Sequence, residues 1–374
     1  MSSKLRITFV LPTLDLSGGV RVIAALANEL HTRGHNVLVV AGPPIRPPLR
    51  DRLRAKLKGP QHRWWPDPDK HHFTSLDVPV KRLESARPVR DTDLPEADAV
   101  VATWWETAEW VAALAPSRGA KLYYAQHHEI YMEGQPPARV NTTYALPLHL
   151  FACSKWVRDQ IEPIAGRPVP IVGYGIDHAV FAAPPRDKQT PPTVGFMYSD
   201  VAFKSTETVL AAIDHARAHV HYLDVIAFGS HPERAHLPLP PGTKFETAPP
   251  QARIAEIYRS CDAWLVGSKA EGYGLPMLEA MACRTPLITT RTGGAEDLVT
   301  EGVNGHVVEV GDAAAMGERI ARVARLSQAE WRSMSEAAHA TAAERTWAAS
   351  ADSFLEQIEL ARAGMAPSSA GARA

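Results

Sequence analysis

The chain has 374 residues, 45% hydrophobic and 22% charged, enough for two domains with separate cores and unlike a disulfide miniprotein, a fibrous chain or a wholly disordered one. Its 40 Lys and Arg offset 41 Asp and Glu to a net charge of −1, so no overall excess points to nucleic acid or to an anionic membrane. Three cysteines, Cys153, Cys261 and Cys283, lie far apart without metal-ligand spacing, which fits a reduced, cytoplasmic interior.

Arg6 to Thr13 reads as a strand that ends in Asp15-Leu16-Ser17-Gly18-Gly19. Pro12 and Asp15 interrupt it, it is too short for a membrane span, and no small-residue cleavage site follows, so neither export nor a transmembrane segment is expected. A helix from Val20 to Arg33 places Ile23, Leu26, Ala27 and Leu30 on one face and stops at Gly34, and Asn36 to Ala41 forms the next strand.

Between Pro44 and Trp65 stand seven basic residues against Asp51 alone, with Leu49, Leu53 and Leu57 at every fourth position and Trp64-Trp65 behind them. The pattern predicts a short basic amphipathic helix. It is either a solvated surface helix or a peripheral contact of residues 44–65 with an anionic membrane. Short apolar runs at Ala97–Thr103, Leu122–Gln126, Leu150–Cys153 and Val169–Val172 lack strict alternation, as parallel strands buried on both faces do.

Pro184, Pro185, Pro191 and Pro192 mark an interdomain connection, after which the alternation restarts. Strands are expected at Thr193–Tyr198, Leu223–Phe228, Ala263–Val266, Pro286–Thr290 and His306–Val310. Helices are expected at Thr206–Ala218, Ala252–Ser260, Pro276–Cys283, Ala295–Val299 and Ala313–Arg325, and the chain reads as helical from Gln328 to about Ala363. The expected class is therefore α/β, with two Rossmann-like parallel-sheet domains facing a central cleft. The boundaries are 1–175, 176–345, a helix at 346–363 that returns to the first domain, and a disordered tail at 364–374. Neutrality conceals an asymmetry: residues 1–175 carry +5 and residues 176–374 carry −6.

The stretch richest in chemistry is Glu271-Gly272-Tyr273-Gly274-Leu275-Pro276, between a buried strand and a helix that contains Glu279. Glycine allows Glu271 to fold toward the cleft that Glu279 faces, Pro276 suits a first helical position, and a helix start offers N–H groups to phosphate. A carboxylate pair beside a phosphate site suits a ligand with hydroxyls and phosphates.

Glu271 to Ala282 resembles the signature of the family 4 retaining glycosyltransferases of GT-B fold. The Gly18-Gly19 turn, Arg33-Gly34-His35-Asn36-Val37, Gly175-Ile176-Asp177 and Gly293-Gly294 extend the resemblance over most of the chain. It implies sugar transfer from a nucleotide diphosphate donor to an acceptor hydroxyl with retention of configuration, without metal or any cofactor besides that donor. Glu279 would hold the donor ribose, Glu271 would lie beside the transferred sugar, and Lys204 would meet the phosphate. His127 would hydrogen-bond the sugar, with a register uncertain by one against His128 and Glu129. Backbone amides from Tyr273 through Gly274 to Leu275, with Gly18 and Gly19, would face the diphosphate, and Phe245 to Gln251 would meet the base.

The resemblance also implies an arginine soon after Gly195, where this chain has Phe196-Met197-Tyr198, so either backbone amides and Tyr198 or Ser199 compensate for it or the donor is held differently. Tyr123-Tyr124-Ala125-Gln126 resembles the subgroup that includes bacterial rhamnosyltransferases. The alternative is a non-catalytic nucleotide-sugar or glycan-binding protein, and a nicotinamide-dependent oxidoreductase is weaker because neither half has the full dinucleotide glycine pattern. Asp67-Pro68-Asp69 and Asp91-Thr92-Asp93 imitate metal-binding aspartate pairs but do not follow a buried strand. His215, His219 and His221 lack a fourth ligand.

Overall fold

A computed structural model describes residues 4–44, 48–59 and 70–364. In the first half the elements are β1 (Arg6–Leu11), α1 (Gly18–Thr32), β2 (Asn36–Ala41), α2 (Leu49–Lys58), β3 (Val80–Arg82) and β4 (Ala99–Ala102). They continue with α3 (Trp105–Ala112), β5 (Ala120–Ala125), α4 (Pro137–Tyr144), β6 (His149–Ala152) and α5 (Lys155–Ala165). The second half begins with β7 (Thr193–Tyr198), α6 (Thr206–Arg217), β8 (Asp224–Gly229), β9 (Lys244–Thr247), α7 (Gln251–Arg259) and β10 (Ala263–Val266). It ends with α8 (Leu275–Ala282), β11 (Leu287–Thr290), α9 (Ala295–Leu298), β12 (Gly305–Val308), α10 (Ala313–Arg325), α11 (Gln328–Ala343) and α12 (Trp347–Arg362).

Each half builds one six-stranded parallel sheet, in the orders β3-β2-β1-β4-β5-β6 and β12-β11-β10-β7-β8-β9. The two orders match strand for strand, β7 to β12 repeating the arrangement of β1 to β6, although α2 joins β2 to β3 and no helix joins β8 to β9. Central strands are covered on both faces, so β4 and β10 read as unbroken apolar runs and β1 is broken only by Arg6 and Thr8, with Phe9, Val100 and Trp264 fully buried.

The region 169–172 contributes an isolated bridge, Ala152 to Ile171, instead of a strand. Pro168 and Pro170 remove two ladder donors, and the Pro170 carbonyl accepts from Ala152 N–H while Val172 N–H donates to the Ala152 carbonyl. The region expected to be helical from Gln328 to about Ala363 holds two helices, α11 and α12. Thr346 caps α12 by accepting the Ala349 N–H, and the Arg345 carbonyl between them accepts from Ile176 N–H, where the chain crosses from one half to the other. α12 packs on the first sheet: Phe354 stacks on Phe9 with ring centres 5.5 Å apart, and Arg33, at the C-terminal cap of α1, binds Asp352 and the Ala348 carbonyl.

Among the described residues, Asp91 and Asp93, weighed as metal ligands, have other partners. Arg87 holds both oxygens of Asp93 and keeps its carboxyl down at about 2, while Asp91 accepts the Ala115 N–H. His215 and His219 face each other on α6, 5.3 Å between ring centres. Asp67, Asp69, Arg46, Arg63, Trp64, Trp65 and residues 365–374 lie outside the described residues.

Candidate active site

The carboxyl ends of β1, β5, β7 and β10 meet between the two sheets, and the loops that leave them carry Gly18-Gly19, His127, Lys204 and Glu271. This is where open α/β sheets bind ligands. The β10 loop docks against the first domain. Ser154 Oγ donates to the Gly272 carbonyl at 2.6 Å, and Tyr273 is buried with its ring 4.9 Å from that of Tyr174. Gly274 then takes φ 85°, a left-handed turn that starts α8, and Pro276 follows in the first turn where its missing N–H costs nothing.

Glu271 is buried and held by two donors, Lys204 Nζ at 2.7 Å and Ser268 Oγ at 2.8 Å, both on Oε1. Lys204 closes a short 3-10 turn, Ala202–Lys204, ahead of α6 and lines the cleft under the start of α8 with Met197, Gly274 and Met277. Glu279, on the buried face of α8, receives the Tyr258 O–H at 2.8 Å on Oε2 and pairs through Oε1 with Arg21 Nη1 at 2.6 Å. Arg21 belongs to the first turn of α1, so this ion pair spans the two domains, and its guanidinium also lies 5.5 Å from the Phe181 ring centre.

The structure distinguishes the three candidates after β5. His127 is the one that faces the second domain: its ring meets Phe203 at 5.6 Å and lies within electrostatic reach of Glu271 and Lys204. Its Nδ1 sits 2.9 Å from the His128 carbonyl, which fixes the proton on Nδ1 and leaves Nε2, buried and without a partner, as a hydrogen-bond acceptor. Burial lowers its pKa from the ordinary histidine value, so the ring is neutral at neutral pH. His128 turns inward to Asn141 at 3.0 Å. Glu129 is fully buried beneath Tyr123 and Tyr144, and burial pushes its carboxyl up to about 7.

Gly18 and Gly19 open α1 beside Gln126, whose carboxamide would lie 3.7 Å from a Cβ at Gly19. They share this end of the cleft with Gly272 and Tyr273. The expected base-binding segment is split: β9 ends at Thr247, Ala248 adopts φ 47° with its N–H on the Gly229 carbonyl, and α7 starts at Gln251. Tyr198 does not point into the cleft. Its hydroxyl donates to the Leu237 carbonyl at 2.8 Å and accepts the Arg234 N–H at 2.9 Å, so it cannot substitute for a phosphate-binding cation. Ser199 Oγ accepts the Val201 N–H at 3.2 Å, inside its own turn.

Arg21, Tyr258 and Ser268 escaped the sequence reading. Arg21 falls outside the apolar stripe of its helix, which was the available signal that it serves something other than the core.

Residues 188–341 match the family model described as glycosyl transferases group 1. The D-inositol 3-phosphate glycosyltransferase of Frankia alni is 36% identical over 113 residues, 30% of this chain and 27% of that one. The N-acetyl-alpha-D-glucosaminyl L-malate synthase of Bacillus anthracis is 39% identical over 69 residues, 18% of each chain. The aligned segments thus span about a quarter or less of these curated relatives. Over the whole fold, the Anabaena protein HepE in complex with UDP-glucose superimposes with a TM-score of 0.69 at 18% identity, covering 95% of this chain and 99% of that one. Sucrose-phosphate synthase from Thermosynechococcus elongatus gives 0.69 at 14% identity, covering 96% and 100%. The chain therefore has the GT-B fold, and the residues that match the glycosyl transferases group 1 model include Lys204, Glu271 and Glu279.

Proposed function

We propose that the protein is a retaining glycosyltransferase that moves a sugar from a nucleotide diphosphate donor to an acceptor hydroxyl. The observation that carries this reading is the arrangement of Glu271, Lys204 and Glu279 around the start of α8, in a cleft between two sheets and among the residues that match the glycosyl transferases group 1 model. Glu279 receives the ribose hydroxyls, and His127 Nε2 accepts an O–H of the donor sugar, the partner that its buried position lacks in the protein. Lys204 and the amides from Tyr273 to Leu275 stabilise charge as it builds on the departing diphosphate.

The leaving phosphate takes the proton of the acceptor hydroxyl on the same face of the sugar. Retention then needs neither a protein nucleophile nor a metal, and no cofactor beyond the donor. Relatives that act on phosphorylated inositol or make glucosaminyl malate, and a structural neighbour that binds UDP-glucose, support a hexosyl donor. Three buried free thiols support a cytoplasmic setting, and Tyr123-Tyr124-Ala125-Gln126 keeps a deoxyhexose donor in the panel to be tested.

The test is thermal stabilisation by uridine, guanosine and thymidine diphosphates, followed by transfer from the matching nucleotide sugars to hydroxyl acceptors. Binding of one diphosphate, acceptor-dependent release of that diphosphate in the presence of EDTA, and a product with the anomeric configuration of the donor are expected. Binding without transfer to any acceptor leaves the non-catalytic binding protein as the reading, and absence of binding removes both.

The membrane contact is a second proposal, supported by α2. Leu49, Leu53 and Leu57 are 67%, 51% and 84% exposed, and Arg50, Arg52, Arg54 and Lys56 surround them. Three leucines left facing water add nothing to the core, whereas an anionic bilayer surface would satisfy both the leucines and the cations. Among the described residues no helix is long and apolar enough to cross a membrane.

A further inference from the structure

Residues 176–374 carry a charge of −6, yet they hold the site for an anionic donor. Among the described residues Lys204 is the one cation that lines the cleft under α8, and it is paired with Glu271. Tyr198 donates its O–H to the Leu237 carbonyl, and Ser199 brings no charge. A diphosphate brought here would meet two carboxylates, Glu271 and Glu279, with a single nearby ammonium to offset it. Such a site would repel its ligand unless a second cation arrives.

That cation is present on the opposite wall. Arg21 Nη1 lies 2.6 Å from Glu279 Oε1, while the guanidinium keeps 26% of its side-chain surface exposed and Glu279 only 4%. The two site carboxylates are therefore neutralised in the same way, Glu271 by a lysine of its own domain and Glu279 by an arginine of the other. Arg21 leaves the first turn of α1, two residues beyond Gly19, where the helix N-terminus adds partial positive charge. Its long, flexible stem can carry the planar guanidinium from a carboxylate to a phosphate by side-chain rotation, and both partners suit its bidentate donor geometry.

We propose that Arg21 is the second diphosphate-binding cation of the donor site, supplied by the acceptor-side domain and exchanged off Glu279 when the donor ribose arrives. The inference rests on the reading of Glu279 as the ribose ligand. In the donor-free state the guanidinium compensates a buried carboxylate that would otherwise be costly. Donor binding replaces it on Glu279 with two ribose O–H donors, alongside the O–H of Tyr258, and Arg21 moves to the phosphate oxygens. The charge compensation transfers from protein to ligand without leaving either carboxylate or phosphate unpaired, and the exchange ties donor binding to the approach of the two domains.

The test is equilibrium binding, by calorimetry on the full chain, of uridine, guanosine and thymidine 5′-diphosphates and the corresponding 5′-monophosphates. Both ligand series carry the ribose, so they share any effect that Arg21 exerts through Glu279, and the added phosphate separates them. For the base that binds, Arg21→Ala is expected to weaken the diphosphate about tenfold or more and the monophosphate by no more than about threefold, with Arg21→Lys recovering part of the loss.

Equal losses for the two ligands, no loss, or tighter binding of both would overturn the proposal, the last being the mark of a guanidinium that only blocks Glu279. A wild-type protein that binds the diphosphate no better than the monophosphate also overturns it. If wild-type protein binds none of the nucleotides, the donor-site reading itself falls; if it binds them and the Arg21 variants fail to discriminate, only this inference does. Should Arg21→Ala not fold, Arg21→Gln against Arg21→Lys gives the same comparison.

Discussion

A Cβ built on Gly272 would lie 1.9 Å from the backbone carbonyl oxygen of Gln126, closer than any side chain can stand. The two residues belong to different domains, so the absence of a side chain at Gly272 is what lets the Glu271 loop seat on the end of β5. The obstacle is main chain, in the residue that directly follows β5, and cannot rotate away. Gly272→Ala should therefore displace the loop, costing about 1–3 kcal/mol of stability and most of the sugar transfer, because Glu271 moves with it. Thermal unfolding and donor turnover measured on the same preparation check this, and an Ala variant with normal values for both would mean that the loop does not sit where Gly272 places it.

Lys204 should affect chemistry more than folding. Its Nζ faces Glu271 Oε1 at 2.7 Å, at the edge of the cleft, and Ser268 still donates to the same oxygen when the lysine is removed. Lys204→Ala is expected to lower kcat by about a hundredfold or more, the effect of removing one preorganised donor from developing negative charge, with little change in the unfolding temperature. Glu279→Ala should instead raise the KM for the donor and expose Arg21 to solvent. Near-normal turnover in both variants would remove the assignment of this cleft to the donor.

The two-domain parallel architecture was legible because buried parallel strands leave apolar runs, and Gly34 and the 184–192 prolines punctuate them. The failures have local causes. Pro168 and Pro170 turned an apolar run into a single bridge, and the break between α11 and α12 depends on Arg345 meeting Ile176 in another domain, which no local pattern records. The Glu271–Glu279 segment announced itself through glycines and proline around two carboxylates. Arg21 did not, since its meaning arises only when α1 and α8 face each other across the cleft.

Glu129 gives a dependence on pH that can be separated from catalysis. It is fully buried, and burial, partly offset by the hydroxyls of Tyr144 and Tyr123, pushes its carboxyl up to about 7 from the ordinary value of 4.5. The folded state thus holds a proton that the unfolded state releases near its ordinary value. Stability is highest below that value, falls as pH rises toward about 7, and is level beyond it, a total of about 3 kcal/mol. Glu129→Gln keeps the shape and cannot ionise. Its unfolding temperature should exceed that of the wild type at pH 8, with the gap closing as pH falls to about 5. A gap that does not vary with pH would assign Glu129 the ordinary ionisation of an exposed carboxylate.

The leucines of α2 test the membrane contact without touching the cleft. Because Leu49, Leu53 and Leu57 already face water, replacing all three with serine should change stability by no more than about 0.5 kcal/mol per site. On vesicles containing phosphatidylglycerol the same change removes most of the apolar area that could enter the bilayer, so binding should weaken about tenfold or more. Salt should weaken the wild type as well, since Arg50, Arg52, Arg54 and Lys56 act through screened attraction to the lipid headgroups. Turnover with a soluble acceptor should be the same in both proteins. Vesicle binding that is absent in the wild type, or unaltered by the three serines, would return α2 to the status of a solvated surface helix and leave the acceptor to reach the cleft from solution.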